Sequence, residues 1–207
     1  LSGRTLAVGS SGGKAADGRE LEYRDFAVLY RTNAQSRNFE DAFSRNDIPY
    51  RVLGGLRYYD RKEIKDMMAY MRLVHNSADD LSLVRIINEP KRGIGDKTVE
   101  KLRALADVRG QSMFDALCDE DVLYALPAKA ITSVAEMLRA IKECAEEKQN
   151  LRVSDIYDAL LVRTGYLKAL EDQNTVEADG RIENLLEFKS VIFEYEKDDP
   201  ELTLEDF

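Results

Sequence analysis

The residues best suited to chemistry stand together in the stretch Glu89-Pro90-Lys91-Arg92-Gly93-Ile94-Gly95-Asp96-Lys97-Thr98-Val99-Glu100-Lys101-Leu102. Pro90 should stop the apolar helix before it, since proline lacks the backbone N–H and clashes with the preceding turn. Asp96 can cap a new helix that carries Val99 and Leu102 on one face. Two glycines around Ile94 allow a tight connection with φ > 0. The N–H groups at the start of the second helix would then lie among Lys91, Arg92, Lys97 and Lys101. Backbone N–H groups ringed by cations suit a phosphate of nucleic acid. The same stretch, read without a ligand, is a helix–helix turn with solvated lysines.

Other chemistries find little support. His75 is the single histidine, and Cys118 and Cys144 stand far apart, so a zinc site is not expected. No Gly-x-Ser-x-Gly elbow, Cys/His pairing or dinucleotide-binding glycine loop occurs. Gly9-Ser10-Ser11-Gly12-Gly13-Lys14 invites a phosphate-loop reading that fails on spacing. Three residues rather than four lie between Gly9 and Gly13, and Ala15 follows Lys14 in place of Ser or Thr. A nuclease or phosphatase lacks any metal-ligand constellation.

The elements that would position the motif follow from periodicity. Phe26-Ala27-Val28-Leu29-Tyr30 reads as a strand buried on both faces, with Arg31-Thr32-Asn33 at its C-terminal end, where open α/β sheets bind ligands. Ser36 or Asn33 can cap a helix with Phe39, Ala42 and Phe43 inward. Pro49-Tyr50-Arg51-Val52-Leu53 reads as a second strand, ended by Gly54-Gly55. Asp60-Arg61-Lys62-Glu63 reads as a capping box for a helix with Ile64, Met67, Met68, Met71 and Val74 in the core. Asp79-Asp80 starts the next helix, with Leu83, Ile86 and Ile87 inward. Beyond residue 104 helices follow, with Ser112, Pro127 and Ser154 at their starts and Gly165 closing one of them. Ile182, Leu185, Leu186, Val191 and Ile192 mark a last long helix. The expected fold class is mainly α with a small α/β portion.

Composition sets the outer bounds. The 207 residues are 44% hydrophobic and 33% charged, an ordinary globular balance. No apolar run approaches the ~18 residues of a membrane span, and the polar start, Leu1-Ser2-Gly3-Arg4, is unlike a signal peptide. A start without methionine and an end that reads like a helix just beginning suggest a piece of a longer protein. The net charge of −9 is unevenly spread: residues 24–103 carry 16 positive and 12 negative charges, whereas residues 104–207 carry 11 and 24. The basic part coincides with the motif, which fits one DNA-facing surface and one solvated or partner-facing surface. The acidic stretches Asp119-Glu120-Asp121 and 194–201 read as solvated faces.

Three segments carry a family resemblance: Phe26-Ala27-Val28-Leu29-Tyr30-Arg31-Thr32-Asn33-Ala34-Gln35-Ser36-Arg37; the run from Pro49 through Gly54-Gly55-Leu56-Arg57-Tyr58-Tyr59-Asp60-Arg61-Lys62-Glu63 to Asp66; and Arg85-Ile86-Ile87-Asn88-Glu89-Pro90-Lys91-Arg92-Gly93-Ile94-Gly95-Asp96-Lys97-Thr98. In this order and spacing they closely resemble the UvrD/PcrA/Rep group of bacterial superfamily 1 DNA helicases. Arg181-Ile182-Glu183-Asn184-Leu185-Leu186-Glu187-Phe188 resembles a later segment of the same family. The resemblance covers roughly residues 24–195 and leaves residues 1–22 aside.

In that family ATP is hydrolysed between two RecA-like domains, 1A and 2A, and a mostly helical subdomain, 2B, is inserted in 2A. The resemblance therefore implies a helical 2B insertion attached to a partial RecA-like 2A sheet. Residues 1–22 would be a lead-in loop, 23–55 a β-α-β slice of 2A, 56–200 the 2B subdomain with its helix-hairpin-helix-like motif, and 201–207 the return to 2A. The parent would be an ATP-dependent 3′-to-5′ DNA helicase using ATP and Mg²⁺. This chain would hold neither cofactor, hydrolyse no ATP and contain no catalytic residue.

Carried over residue by residue, Arg31 and Asn33, with Thr32 and Arg37 as weaker candidates, would touch single-stranded DNA. Arg92, Gly93, Ile94, Gly95, Lys97 and Thr98 would contact duplex phosphates, and Arg57, Arg61 and Lys62 would add a basic rim. The implied partners are single-stranded, duplex and 3′-tailed junction DNA, the remaining helicase domains 1A, 1B and 2A, and repair or replication proteins, with no membrane. The implied setting is the bacterial cytoplasm, at the nucleoid. The alternative is a protein-interaction module whose acidic surface recruits repair or replication partners.

Overall fold

The computed structural model describes residues 19–53 and 55–207. The glycine stretch at 9–14, most of the lead-in at 1–22, and Gly54 lie outside the described residues. The chain divides into two compact units whose boundary in sequence falls between Tyr58 and Tyr59.

Among its described residues the first unit contains one α-helix, α1 (Ser36–Arg45), preceded by a 3₁₀ turn, Asn33–Gln35. The helix is where the sequence places it; the two strands are not. Neither 26–30 nor 49–53 is paired in a ladder, and among the described residues only Glu20 takes part in a β bridge. A strand of the parallel type is stable only with neighbours on its edges and cover on both faces. Here Leu29 is 94% exposed, and Phe26 and Val28 are also open.

The face that α1 buries is likewise reversed. Ser36, Arg37 and Glu40 are buried, while Phe39 is exposed. Glu40 explains the reversal: its carboxylate accepts from the Ser36 hydroxyl (2.7 Å) and from the Tyr58 backbone N–H (3.2 Å). Phe39 and Phe43 instead lie against the rings of Tyr30 and Tyr50.

The second unit is helical. Its elements are α2 (Lys62–His75), α3 (Asp80–Ile86), α4 (Asp96–Arg109), α5 (Met113–Cys118), α6 (Glu120–Tyr124), α7 (Ala128–Glu147), α8 (Val153–Arg163), α9 (Tyr166–Glu171) and α10 (Val176–Asp198). Helix α2 is its centre, packing on α3, α7, α8 and α10. The stripe read from the sequence does this: Ile64, Met67, Met71 and Val74 are buried, with Leu73 and Tyr70 beside them. Each such side chain contributes about 1.5–3 kcal/mol relative to exposure. From α7 the core receives Val134, Leu138 and Ile141, and from α10 Leu185, Val191 and Ile192; Leu186 stays exposed.

Several helix starts differ from the local reading. The N-cap of α2 is Arg61, without a side-chain capping bond. Glu63 does not reach back, because its carboxylate is buried and accepts from Asn184 Nδ2 on α10 (2.6 Å). Asp60 instead accepts from Lys65 (2.7 Å). Ser154 lies inside the first turn of α8, whose N-cap is Arg152. Asp79 and Ser112 cap α3 and α5 as their types suggest, and Gly165 adopts φ 73° after α8.

Candidate nucleic-acid interface

The motif forms a hairpin between α3 and α4. Helix α3 ends at Ile86, and the chain turns through a cis Glu89–Pro90 peptide and reaches Gly93, whose φ is 78°. That conformation costs most residues with a Cβ about 1–2 kcal/mol, so glycine is favoured at this position. Asn88 holds the turn from inside: its side-chain oxygen accepts the backbone N–H groups of Arg92 (2.8 Å) and Ile94 (3.2 Å). Ile94, between the two glycines, is buried. Gly95 is the N-cap of α4, and its carbonyl accepts from Thr98 (2.9 Å) and Val99 (3.2 Å). Asp96 is therefore the first residue of the helix rather than its cap. The N–H groups of Asp96 and Lys97, ahead of these bonds, have no intrahelical acceptor, and the helix dipole makes this end favourable for anions.

The cations divide into two groups. Lys91, Lys97, Lys101 and Arg103 are exposed around the hairpin and the first turns of α4, and Thr98 is half-buried. Arg92 does not reach the surface as the sequence reading expects. It is 4% exposed. Its Nη1 donates to the carbonyls of Ile86 and Glu89 (3.0 Å each), and its Nη2 to Tyr70 Oη and the carbonyl of Thr164 (3.0 Å each). A guanidinium carries five donors in a rigid fork, so one side chain can collect several converging oxygens that an ammonium could not.

The rim is also partly withdrawn. Arg61 is buried and donates to Asn184 Oδ1 (2.7 Å). Lys62 is half-exposed but engaged by Asp66 (3.4 Å) and Glu89. Asp66 also pairs with Arg85 (2.9 Å) and accepts from Tyr166 Oη (2.8 Å). Burial, and then the neighbouring Asp66 carboxylate, push the Tyr166 phenol far above its ordinary range. Burial likewise raises Tyr70, against the opposing pull of Arg92.

In the first unit, Arg31 is exposed and Thr32 is half-buried, and the Gln35 side-chain oxygen accepts both of their backbone N–H groups (3.0 and 3.2 Å). Asn33 opens the 3₁₀ turn that follows them. Arg57 is exposed, 5.5 Å over the Tyr50 ring. Arg37 is buried, with Nε 3.8 Å from Asp41. The structure thus gathers Lys91, Gly93, Gly95, Lys97 and Thr98 at one hairpin, and Arg31, Thr32 and Asn33 at one turn. Arg37, Arg61 and Arg92 point inward.

Sequence reasoning missed Asn88, Tyr70 and the Thr164 carbonyl. Asn88 had a signal, since an Asn just ahead of a Pro/Gly turn commonly bonds backbone two or more residues on. Tyr70 and Thr164 had none, being 22 and 72 residues from Arg92.

Over residues 13–207 the chain matches the UvrD-like helicase C-terminal domain. It belongs to that family. The ATP-dependent DNA helicase PcrA of Staphylococcus aureus (strain Mu50 / ATCC 700699) is 44% identical over 179 residues, which is 86% of this chain and 24% of that protein. PcrA of Staphylococcus epidermidis (strain ATCC 12228 / FDA PCI 1200) gives the same identity and coverage. The resemblance to the UvrD/PcrA type of superfamily 1 helicases therefore stands, and the family match reaches beyond the 24–195 range of the motifs at both ends. This chain spans about a quarter of the length of the curated relatives it matches. Among the described residues no helix of this UvrD-like domain is long and apolar enough to cross a membrane. No group of three or more His, Cys, Asp or Glu among them is placed to hold a metal ion.

Proposed function

We propose that this UvrD-like domain is a DNA-contacting, regulatory part of an ATP-dependent 3′-to-5′ DNA helicase. The observation that carries the reading is the Gly93–Gly95 hairpin, which delivers exposed Lys91 and Lys97 to the N-terminal end of the 14-residue helix α4. That end, with Thr98 and the backbone at Gly93 and Gly95, takes duplex phosphates without reading sequence, while Ile94, whose N–H is held by Asn88, shapes the loop. The turn at Arg31, Thr32 and Asn33 takes the single strand, and Arg57 adds charge in the first unit. On this reading the second unit corresponds to 2B and the first to a slice of 2A, and domains 1A and 1B complete the machine. ATP and Mg²⁺ belong to the parent's other motifs, and the setting is the bacterial cytoplasm at the nucleoid, in repair or replication.

A second reading treats the acidic helices as a surface for repair or replication proteins. The excess of 24 negative over 11 positive charges across residues 104–207 favours it.

The test is fluorescence anisotropy of the full chain on single-stranded, duplex and 3′-tailed junction DNA across a salt series. Junction or duplex binding that weakens with salt, and is lost in the double variant Lys91→Glu/Lys97→Glu, supports the hairpin as a phosphate clamp. Equal binding by the double variant, or no binding at low salt, overturns it.

A further inference from the structure

The hairpin carries two kinds of cation, and its only buried one is also the one with the most bonds among those around the loop. Arg92 Nη1 lies within 3.0–3.4 Å of the carbonyls of Ile86, Ile87, Glu89 and Pro90, all in the segment that leads into the turn. Its Nη2 crosses to Tyr70 on α2 and to Thr164, where α8 ends and α9 begins. Tyr70 in turn donates to the Glu89 carbonyl and lies edge-on to Tyr166 of α9 (centroids 6.4 Å apart, 84°). One guanidinium thereby ties the last turn of α3, the approach to the hairpin, the middle of α2 and the α8–α9 junction to a single point.

We propose that Arg92 is a positioning residue for the phosphate clamp, setting the hairpin's angle by gathering main-chain carbonyls, and makes no phosphate contact itself. This rests on the reading of the hairpin as a DNA contact. Lys91, one residue earlier, faces solvent, so adjacent cations of the same motif have opposite duties. The division follows from chemistry: the fork of Arg is rigid, planar and weakly hydrated, which suits a buried hub, whereas the hydrated ammonium of Lys suits a solvent-facing phosphate.

The two roles leave different signatures in salt. A side chain that neutralises a phosphate contributes close to one unit to the slope of log K against log[salt], and its loss lowers that slope. A buried positioning residue changes affinity without changing the slope. Lysine also distinguishes them. It preserves charge at a phosphate contact but cannot bridge Ile86, Glu89, Tyr70 and Thr164 together.

The experiment compares wild type, Arg92→Lys, Arg92→Gln, Tyr70→Phe and Lys97→Gln for duplex binding across a salt series, with hydrogen exchange of the unbound proteins at the Arg92 and Ile94 amides. Expected are a roughly tenfold affinity loss for both Arg92 variants, the equivalent of one charge-assisted hydrogen bond, and a wild-type salt slope in both. Faster exchange at the amides of position 92 and Ile94 should accompany the loss in both. Tyr70→Phe, which keeps the ring and the fold, should move exchange in the same direction by less. Lys97→Gln should lower the slope by about one and leave exchange unchanged. Arg92→Gln lowering the slope by about one, with Arg92→Lys restoring it and exchange unmoved, would overturn the proposal. If the wild-type chain binds no duplex, the DNA reading fails, and the exchange arm still decides whether Arg92 sets the hairpin.

Discussion

Glu196, close to the end of α10, accepts both the backbone N–H and the hydroxyl of Ser154 in the first turn of α8, at 2.8 and 3.0 Å. The N-terminus of α8 is thus capped from 42 residues away rather than by its own sequence. A carboxylate at this end satisfies an orphan donor and meets the positive end of the helix dipole.

Replacing that carboxylate tests its weight. Glu196→Ala should lower the free energy of unfolding by about 1–2 kcal/mol, the range of a lost N-cap. Ser154→Ala should cost less, because the backbone N–H keeps its acceptor. Urea denaturation of the three proteins measures the order; equal stabilities would show that solvent replaces Glu196 without penalty.

The second long-range tie is Asn184. Its amide accepts from Arg61 (2.7 Å) and donates to Glu63 (2.6 Å), joining the start of α2 to α10 with all three residues buried. Asn184→Ala should destabilise the chain by about 2–3 kcal/mol, since it strips a bond from two buried charged groups at once. Asn184→Leu should do no better despite its apolar bulk. A thermal melt in which Asn184→Leu matches wild type would mean that the Arg61–Glu63 region repacks without the amide.

Alkaline stability depends on Tyr166. Its folded pKa is raised by burial and by Asp66, while the unfolded phenol titrates near its ordinary value of about 10. Because the unfolded state releases the proton first, the contribution is complete below about pH 10 and falls as pH rises beyond it. Tyr166→Phe should flatten the decline between about pH 10 and 12 while leaving the neutral-pH fold intact, since Asp66 keeps Arg85 and Lys62. Chemical denaturation repeated across that range gives the slope, and parallel curves for the two proteins would exclude the phenol as its source.

What the sequence could disclose follows the range of the forces involved. Helix α2, α3 and the hairpin were legible because periodicity, proline and glycine act within a few residues. The Asp79, Ser112 and Gly165 termini were legible for the same reason. The polar buried face of α1 was not, because Glu40 is fixed by Tyr58, 18 residues on. The strand reading of 26–30 was a sound local inference that no pairing partner among the described residues satisfies. At the interface, residue type announced which side chains are cationic, but direction was settled by partners far off in the chain. Arg92 turns inward to Thr164, and Arg61 turns inward to Asn184.

The two glycines of the hairpin are not equivalent. Gly93 holds φ 78°, whereas Gly95 has φ −102° and ψ 170°, ordinary extended backbone, with nothing within 4 Å of where its Cβ would stand. Folding alone therefore favours glycine at 93, by about 1–2 kcal/mol over most residues, and tolerates alanine at 95. In a library randomised at both sites, survival of the fold would enrich glycine at the first position only. Enrichment at the second would appear when the pool is selected on DNA, and would mark how closely a phosphate backbone passes the loop.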